Sequence, residues 1–201
     1  LKQARRLPDS VIVNLKNRPK TALPMDVLQS CIPSLADFDE NIYSDTKEDN
    51  ITRAISLISK IPAIVAAWNR IRMGLDVIEA DKELSHSANI FYMIFGRKPT
   101  LEEIKVFDIC LILHAEHSFN ASTFAAREIA STRAHMYACI CGAVGALSGE
   151  LHGGANIQVM KMLFDIGEIK NVENWIKDRL KERKRIMGMG HAVYRTTDPR
   201  A

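Results

Sequence analysis

A mainly α-helical fold is predicted for this chain by three features. Apolar residues recur at three- and four-residue spacing through most of it, helix-capping patterns punctuate those runs, and sustained two-residue alternation is missing. Pro24 followed by MDVLQSCI puts a proline in the first turn of a short helix, which Pro33 ends or bends. From Thr46 the period strengthens: Ile51, Ala54, Ile55 and Ile58 mark one face, continued past Pro62 by Ile61, Ile64, Val65 and Trp68. The expected result is a kinked helix or two abutting helices.

Ser85 is suited to cap a helix running through Met93, with Gly96, Lys98 and Pro99 as its stop. Thr100 and Glu103 form a capping-box pattern ahead of Ile104, Phe107 and Leu111. Small residues crowd the stretch from Ala121 to Leu147, including Gly142 and Gly145, so close helix-on-helix contact is expected there, within the chain or across a dimer interface. Further helices are expected from about Asn156 to Phe164 and from a cap at Asn171 through Arg185. Two segments break the pattern, Glu150 to Asn156 and Met187 to Arg200. Both set glycines beside histidines, and the first is the better hinge.

Composition excludes several classes. With 201 residues the chain can bury one substantial core, and 47% hydrophobic with 25% charged residues is ordinary globular usage. A net charge of +3 implies no nucleic acid or other acidic polymer as partner. The longest unbroken apolar run, Met136 to Leu147, is short of the ~20 residues a membrane helix needs, so no membrane association is expected. Cys31, Cys110, Cys139 and Cys141 lack metal or redox spacing and read as buried, reduced thiols of a cytoplasmic protein.

Four of the six histidines stand in polar, punctuated contexts: His114 and His117 in HAEHSFNAST, His152 in SGELHGGAN, and His191 in GMGHAVYRTTDPR. His86 and His135 sit inside helical runs and read as structural. HAEH offers two imidazoles three residues apart, but neither the HExxH pattern nor carboxylate or cysteine partners accompany it, so no metal site is expected. No serine or cysteine occupies a nucleophile elbow.

In order and wording, LPMDVL, LSHSANIFYMIFG, LILHAEHSFNASTFAAR, LSGELHGGAN and MGMGHAVYRTTDPR resemble the citrate synthase family across nearly the whole chain. The resemblance implies a large helical domain, here 1–152 in part, and the beginning of a small helical domain, 153–201. It also implies a homodimer that condenses an acyl-CoA with oxaloacetate, uses the CoA thioester as substrate and holds no tightly bound cofactor. By the same resemblance His152 donates to the thioester carbonyl, Ser122 orients it, and His191 donates to the ketone of oxaloacetate. His117 and Arg200 bind that substrate, Arg195 meets the CoA phosphates, and Met187 with Gly188, Met189 and Gly190 forms the loop around adenine. His114 and Asn120 match active-site neighbours.

Physical need agrees with these roles. The α-protons of a thioester are weakly acidic, so enolisation needs a base and a donor to the oxygen where charge develops. Arginine offers a planar fork that fits a carboxylate. Two departures stand out. Glu150 and Ile157 occupy positions where the family more often has proline and a polar residue. Glu150 either favours a cationic His152 or faces solvent. The family's aspartate base and further arginines correspond to positions beyond Ala201, so the chain is expected to be a fragment, inactive alone. Two alternatives are kept: 2-methylcitrate synthesis from propionyl-CoA, and a non-catalytic homologue that senses a ligand.

Overall fold

The computed structural model describes residues 1–116, 119–190 and 195–198. Among them are nine α-helices, three short 3-10 turns and no β-strand, the mainly α class predicted. The chain forms two compact units, Leu1–Leu147 and Ser148–Ala201.

The first unit is organised by α3 (Lys47–Arg72), against which α1 (Asp9–Lys16), α2 (Pro24–Ser34) and α4 (His86–Phe95) pack. Thr46 caps α3 by accepting from the Asp49 N–H at 3.2 Å, and Pro62 lies within a helix that continues through it rather than two abutting ones. On length and composition alone α3 is apolar enough to cross a bilayer. Within the unit its inner side is core: Leu57, Ala63, Ile64, Ala67 and Trp68 are buried with Val11, Leu15, Val27 and Ile32 from α1 and α2.

The expected inward face of its first half is corrected. Ile51, Ile55 and Ile58 are exposed, and Arg53 and Leu57 point inward instead. The reason is a polar network that periodicity does not register. Arg53, 4% exposed, donates from Nε to Asp39 at 2.8 Å, from one terminal nitrogen to the Ser44 carbonyl at 2.7 Å and to Asn50 at 3.0 Å, and from the other to the Asn41 carbonyl. A buried guanidinium is tolerated because its donors find acceptors. Tyr137 joins from α7 (Met136–Ser148): burial pushes its phenol pKa up, and Asp39 beside it acts the same way.

Caps placed the next elements as expected. Ser85 accepts from the Ala88 N–H, and Gly96 ends α4 at φ +74°. The Thr100–Glu103 capping box opens α5 (Leu101–Ala115), where Arg97 and the Thr100 N–H hold the Glu103 carboxylate down at about 2. Ile104, Phe107 and Leu111 are the half-buried side of α5, which packs on α4. The small-residue stretch is two helices, α6 (Ala121–Ser131) and α7, broken where Arg133 takes φ +62°. Close contact does occur there: a methyl on Gly145 would collide with the Gln29 side chain of α2, and one on Gly142 with Ile129 of α6.

Other expectations are revised. His135 precedes α7 rather than lying inside a helix, and its Nδ1 accepts from the Ala138 N–H at 3.2 Å. Cys31 and Cys139 are buried free thiols, but Cys110 is exposed because α5 buries none of its residues, and Cys141 is intermediate.

The second unit contains α8 (Gly154–Ile166) and α9 (Val172–Lys181). Asn171 does not cap α9 with its side chain. A 3-10 turn over Ile169–Asn171 leads into the helix, and the carboxamide donates back to the Ile166 carbonyl at 3.0 Å. The helix stops short of Arg185 because Arg183 adopts φ +52°, with Lys184 N–H closing onto the Arg179 carbonyl at 2.9 Å.

Two outcomes follow. Arg53→Met strands the Asp39 carboxylate and two carbonyls, so urea unfolding should show a loss of about 3 to 5 kcal/mol. A loss below about 1 kcal/mol would show that water replaces the network. His86, half-buried at the start of α4, has its pKa lowered from 6.5 by burial first and then by Arg5, with Asp108 opposing. The folded state therefore binds fewer protons than the unfolded one, so this stability is complete above about pH 6.5 and declines as pH falls below it. His86→Gln should flatten that slope in unfolding curves measured across pH.

Candidate active site in two turns and a cleft

His152 lies in the turn that feeds α8. Its backbone N–H donates to the Gly149 carbonyl at 3.0 Å, and the helix begins two residues later at Gly154 with Gly153 as N-cap. His152 is half-buried while its neighbour Leu151 is fully exposed. Glu150 is exposed, and its side-chain carbons lie over Gly154, where a Cβ would meet Cγ at 3.5 Å.

A cleft of about 650 Å³ opens beside this histidine within the second unit. Lys161 from α8, Trp175 and Arg179 from α9, and Arg185 and Met187 beyond it share its lining with His152. None of Lys161, Trp175, Arg179 and Arg185 was singled out from sequence. Trp175 and Arg179 stand four apart, the spacing at which a ring and a guanidinium meet on one helix face, and that was the available signal.

The Met187–Gly190 segment is a turn, with Met189 N–H donating to the Ile186 carbonyl at 3.3 Å. Gly188 and Gly190 adopt φ +86° and +79°, the left-handed region, and among the described residues, apart from their chain neighbours, no atom lies within 4 Å of where their Cβ atoms would sit. Met189 is 72% exposed. The glycines therefore serve backbone conformation, not tight packing. Arg195 lies at an exposed bend after this segment.

The remaining candidates belong to the first unit. His114, in the last turn of α5, donates from Nδ1 to the Cys110 carbonyl at 2.7 Å, which sets the Nδ1–H tautomer of the neutral ring. Asn120 caps α6, its Oδ1 accepting from the Thr123 N–H at 2.9 Å and from the Ser122 hydroxyl at 2.7 Å. That capping role accounts for Asn120 in NAST on local grounds alone. His117, His191 and Arg200 lie outside the described residues. Among the described residues no group of three or more histidine, cysteine, aspartate or glutamate side chains is arranged to hold a metal ion.

A helical protein with a histidine turn at a helix entrance, a left-handed glycine loop and a cationic cleft is a reasonable host for an anionic small molecule. Comparison with known proteins identifies the family. A family profile described as "Citrate synthase, C-terminal domain" matches residues 1–201. The chain belongs to the citrate synthase family. It is 44% identical over 202 residues to a citrate synthase of Heyndrickxia coagulans, covering all of this chain and 54% of the relative. To a 2-methylcitrate synthase of Mycobacterium tuberculosis it is 39% identical over 197 residues, covering 98% and 50%. Among solved structures, the ternary complex of carboxymethyl coenzyme A and oxaloacetate with the Thermoplasma acidophilum citrate synthase superposes with a TM-score of 0.84 at 31% identity, covering 98% of this chain and 52% of that one. The chain thus spans about half the length of the relatives it matches.

Because φ and not space constrains the loop, Gly188→Ala and Gly190→Ala should each cost about 1 to 2 kcal/mol in urea unfolding of the full-length protein. Gly154→Ala, on helical backbone with only an ordinary contact to Glu150, should cost nothing or stabilise slightly. Equal losses at all three would show that crowding sets the cost.

Proposed function

We propose that the full-length protein condenses acetyl-CoA with oxaloacetate and hydrolyses the resulting citryl-CoA to citrate and CoA. What carries the reading is the HGGAN turn: His152 at the entrance to α8, beside a cleft with three cationic side chains, in a chain whose ordered motifs match the family throughout. In this scheme a base removes an α-proton of the thioester while His152 donates a hydrogen bond to its carbonyl oxygen, which becomes the enol oxygen. The enol carbon attacks the ketone of oxaloacetate, and His191 protonates the forming alkoxide. Water then cleaves the thioester and CoA leaves as the thiol.

His117 and Arg200 bind oxaloacetate, with Arg200 forking a carboxylate. Family resemblance supports Ser122 as the residue that orients His152, and His114 and Asn120 as matches to active-site neighbours. The left-handed turn at Gly188, Met189 and Gly190 receives adenine, and Arg195 meets CoA phosphate. The thioester is substrate rather than a resident cofactor. The large domain ends near residue 152 in this reading, and the protein works as a homodimer in the cytoplasm, which is consistent with its four free cysteines.

Propionyl-CoA is the second reading, and it has a specific support. The 2-methylcitrate synthase is 39% identical, against 44% for the citrate synthase. One methylene is worth ~1 to 3 kcal/mol in a pocket, so the ratio of kcat/KM for the two thioesters decides between them.

The division of labour between the histidines is the test. In the full-length protein His152→Ala should lower turnover by about 10² to 10⁴ while oxaloacetate affinity holds, whereas His191→Ala weakens both. Arg200→Lys should raise the KM for oxaloacetate far more than that for the thioester. Equal loss of oxaloacetate affinity in the two histidine variants would falsify the assignment.

A further inference from the structure

The cleft beside His152 holds more fixed positive charge than chemistry at a neutral thioester uses. Lys161, Arg179 and Arg185 line it against Glu150 and Asp165. Among the described residues neither Lys161 nor Arg185 has an ion-pair partner. Arg179 differs from both in being held. Its guanidinium carbon lies 4.6 Å from the centroid of the Trp175 ring, one turn earlier on α9. One terminal nitrogen is 3.7 Å from the Asp165 carboxylate, with the Arg179 side chain 30% exposed.

Stacking fixes the plane of the fork at little cost to its donors, since the ring meets the face and not the N–H edge. At 3.7 Å the Asp165 contact is an ion pair without a hydrogen bond, so the N–H groups are not consumed by it. A planar, oriented, unspent donor set in a cleft of ligand size suits a phosphate. On an acyl-CoA the phosphates are the anionic groups.

Resting on the acyl-CoA reading above, we infer that Arg179 binds a phosphate of the CoA moiety, with Trp175 and Asp165 holding its guanidinium in place and Lys161 adding a second, unrestrained charge. Trp175 and Asp165 are positioning residues in this arrangement, and Arg179 is the binding residue.

Two thioesters separate the phosphate contact from the rest of the site: acetyl-CoA, and S-acetylpantetheine, which keeps the reacting group and lacks the phosphates. In the full-length protein Arg179→Gln should raise the KM for acetyl-CoA about tenfold and that for S-acetylpantetheine less than twofold. Arg179→Lys should recover part of the loss. Trp175→Leu, which removes the platform and leaves the charge, should give a rise of about threefold with the same selectivity. An unaltered acetyl-CoA KM in Arg179→Gln, or an equal rise for both thioesters, would overturn the assignment. Calorimetric titration with free CoA distinguishes this failure from failure of the proposed reaction. If the wild type binds CoA and loses it in Arg179→Gln while forming no citrate or methylcitrate, the reaction is wrong and the phosphate site stands. Normal turnover with an indifferent Arg179 variant means the reverse.

Discussion

A helix with buried positions on more than one side needs neighbours on more than one side, and α3 obtains them from α1, α2 and α4. Its inner surface changes character along its length. The second half presents Ile64, Ala67 and Trp68 to an apolar core, while the first half presents a charge. That charge sets the path of residues 39–50, because Arg53 reaches carbonyls at 41 and 44 as well as Asp39. Other connections in this unit are tied the same way. Arg5, 3% exposed, donates to the carbonyls of Asp81 and Leu84, and Arg70 donates to those of Asp76 and Ile94. Connections that pack only a few apolar residues on the core, Ile42 in one and Val77 and Ala80 in another, are held as well by guanidinium groups, and each of these orders several carbonyls at once.

The second unit works by different means. Its helices bury no residue within the described chain, and its order comes from turns and surface pairs. Gly153 and Gly154 start α8 directly behind His152, so the histidine's position follows from the helix entrance and not from a packed core. Residues that leave helical geometry do so where one element must stop: Gly167 and Arg183 after α8 and α9, then Gly188 and Gly190 in the loop beyond.

Legibility from sequence divided along the same physical lines. Local signals were readable: the proline opening α2, the Ser85 and Thr100 caps, and the glycine ending α4 are determined by a few adjacent atoms. Ile104, Phe107 and Leu111 likewise marked the inner side of α5. The face of α3 was misread because the pattern counts apolar residues, and Arg53 is an inward residue made possible by acceptors 3 to 14 positions away. Asn171 was misread because it is the last residue of a 3-10 turn and already has helical backbone. At the candidate site, His152 and the loop glycines were found through motif wording, whereas Arg179 was not, since its setting depends on Asp165 from the neighbouring helix.

The two tryptophans of the chain fall one to each unit. Trp68 is 3% exposed in the core beside α3, and among the described residues its Nε1 has no hydrogen-bond partner, so its indole sits in an apolar medium. Trp175 is half-solvated at the cleft with a guanidinium over its ring. Indole emission moves to longer wavelength as solvent reaches the ring. The chain therefore carries one indole set to report on the core, emitting toward the blue, and a second, redder one set to report on the cleft, without any label.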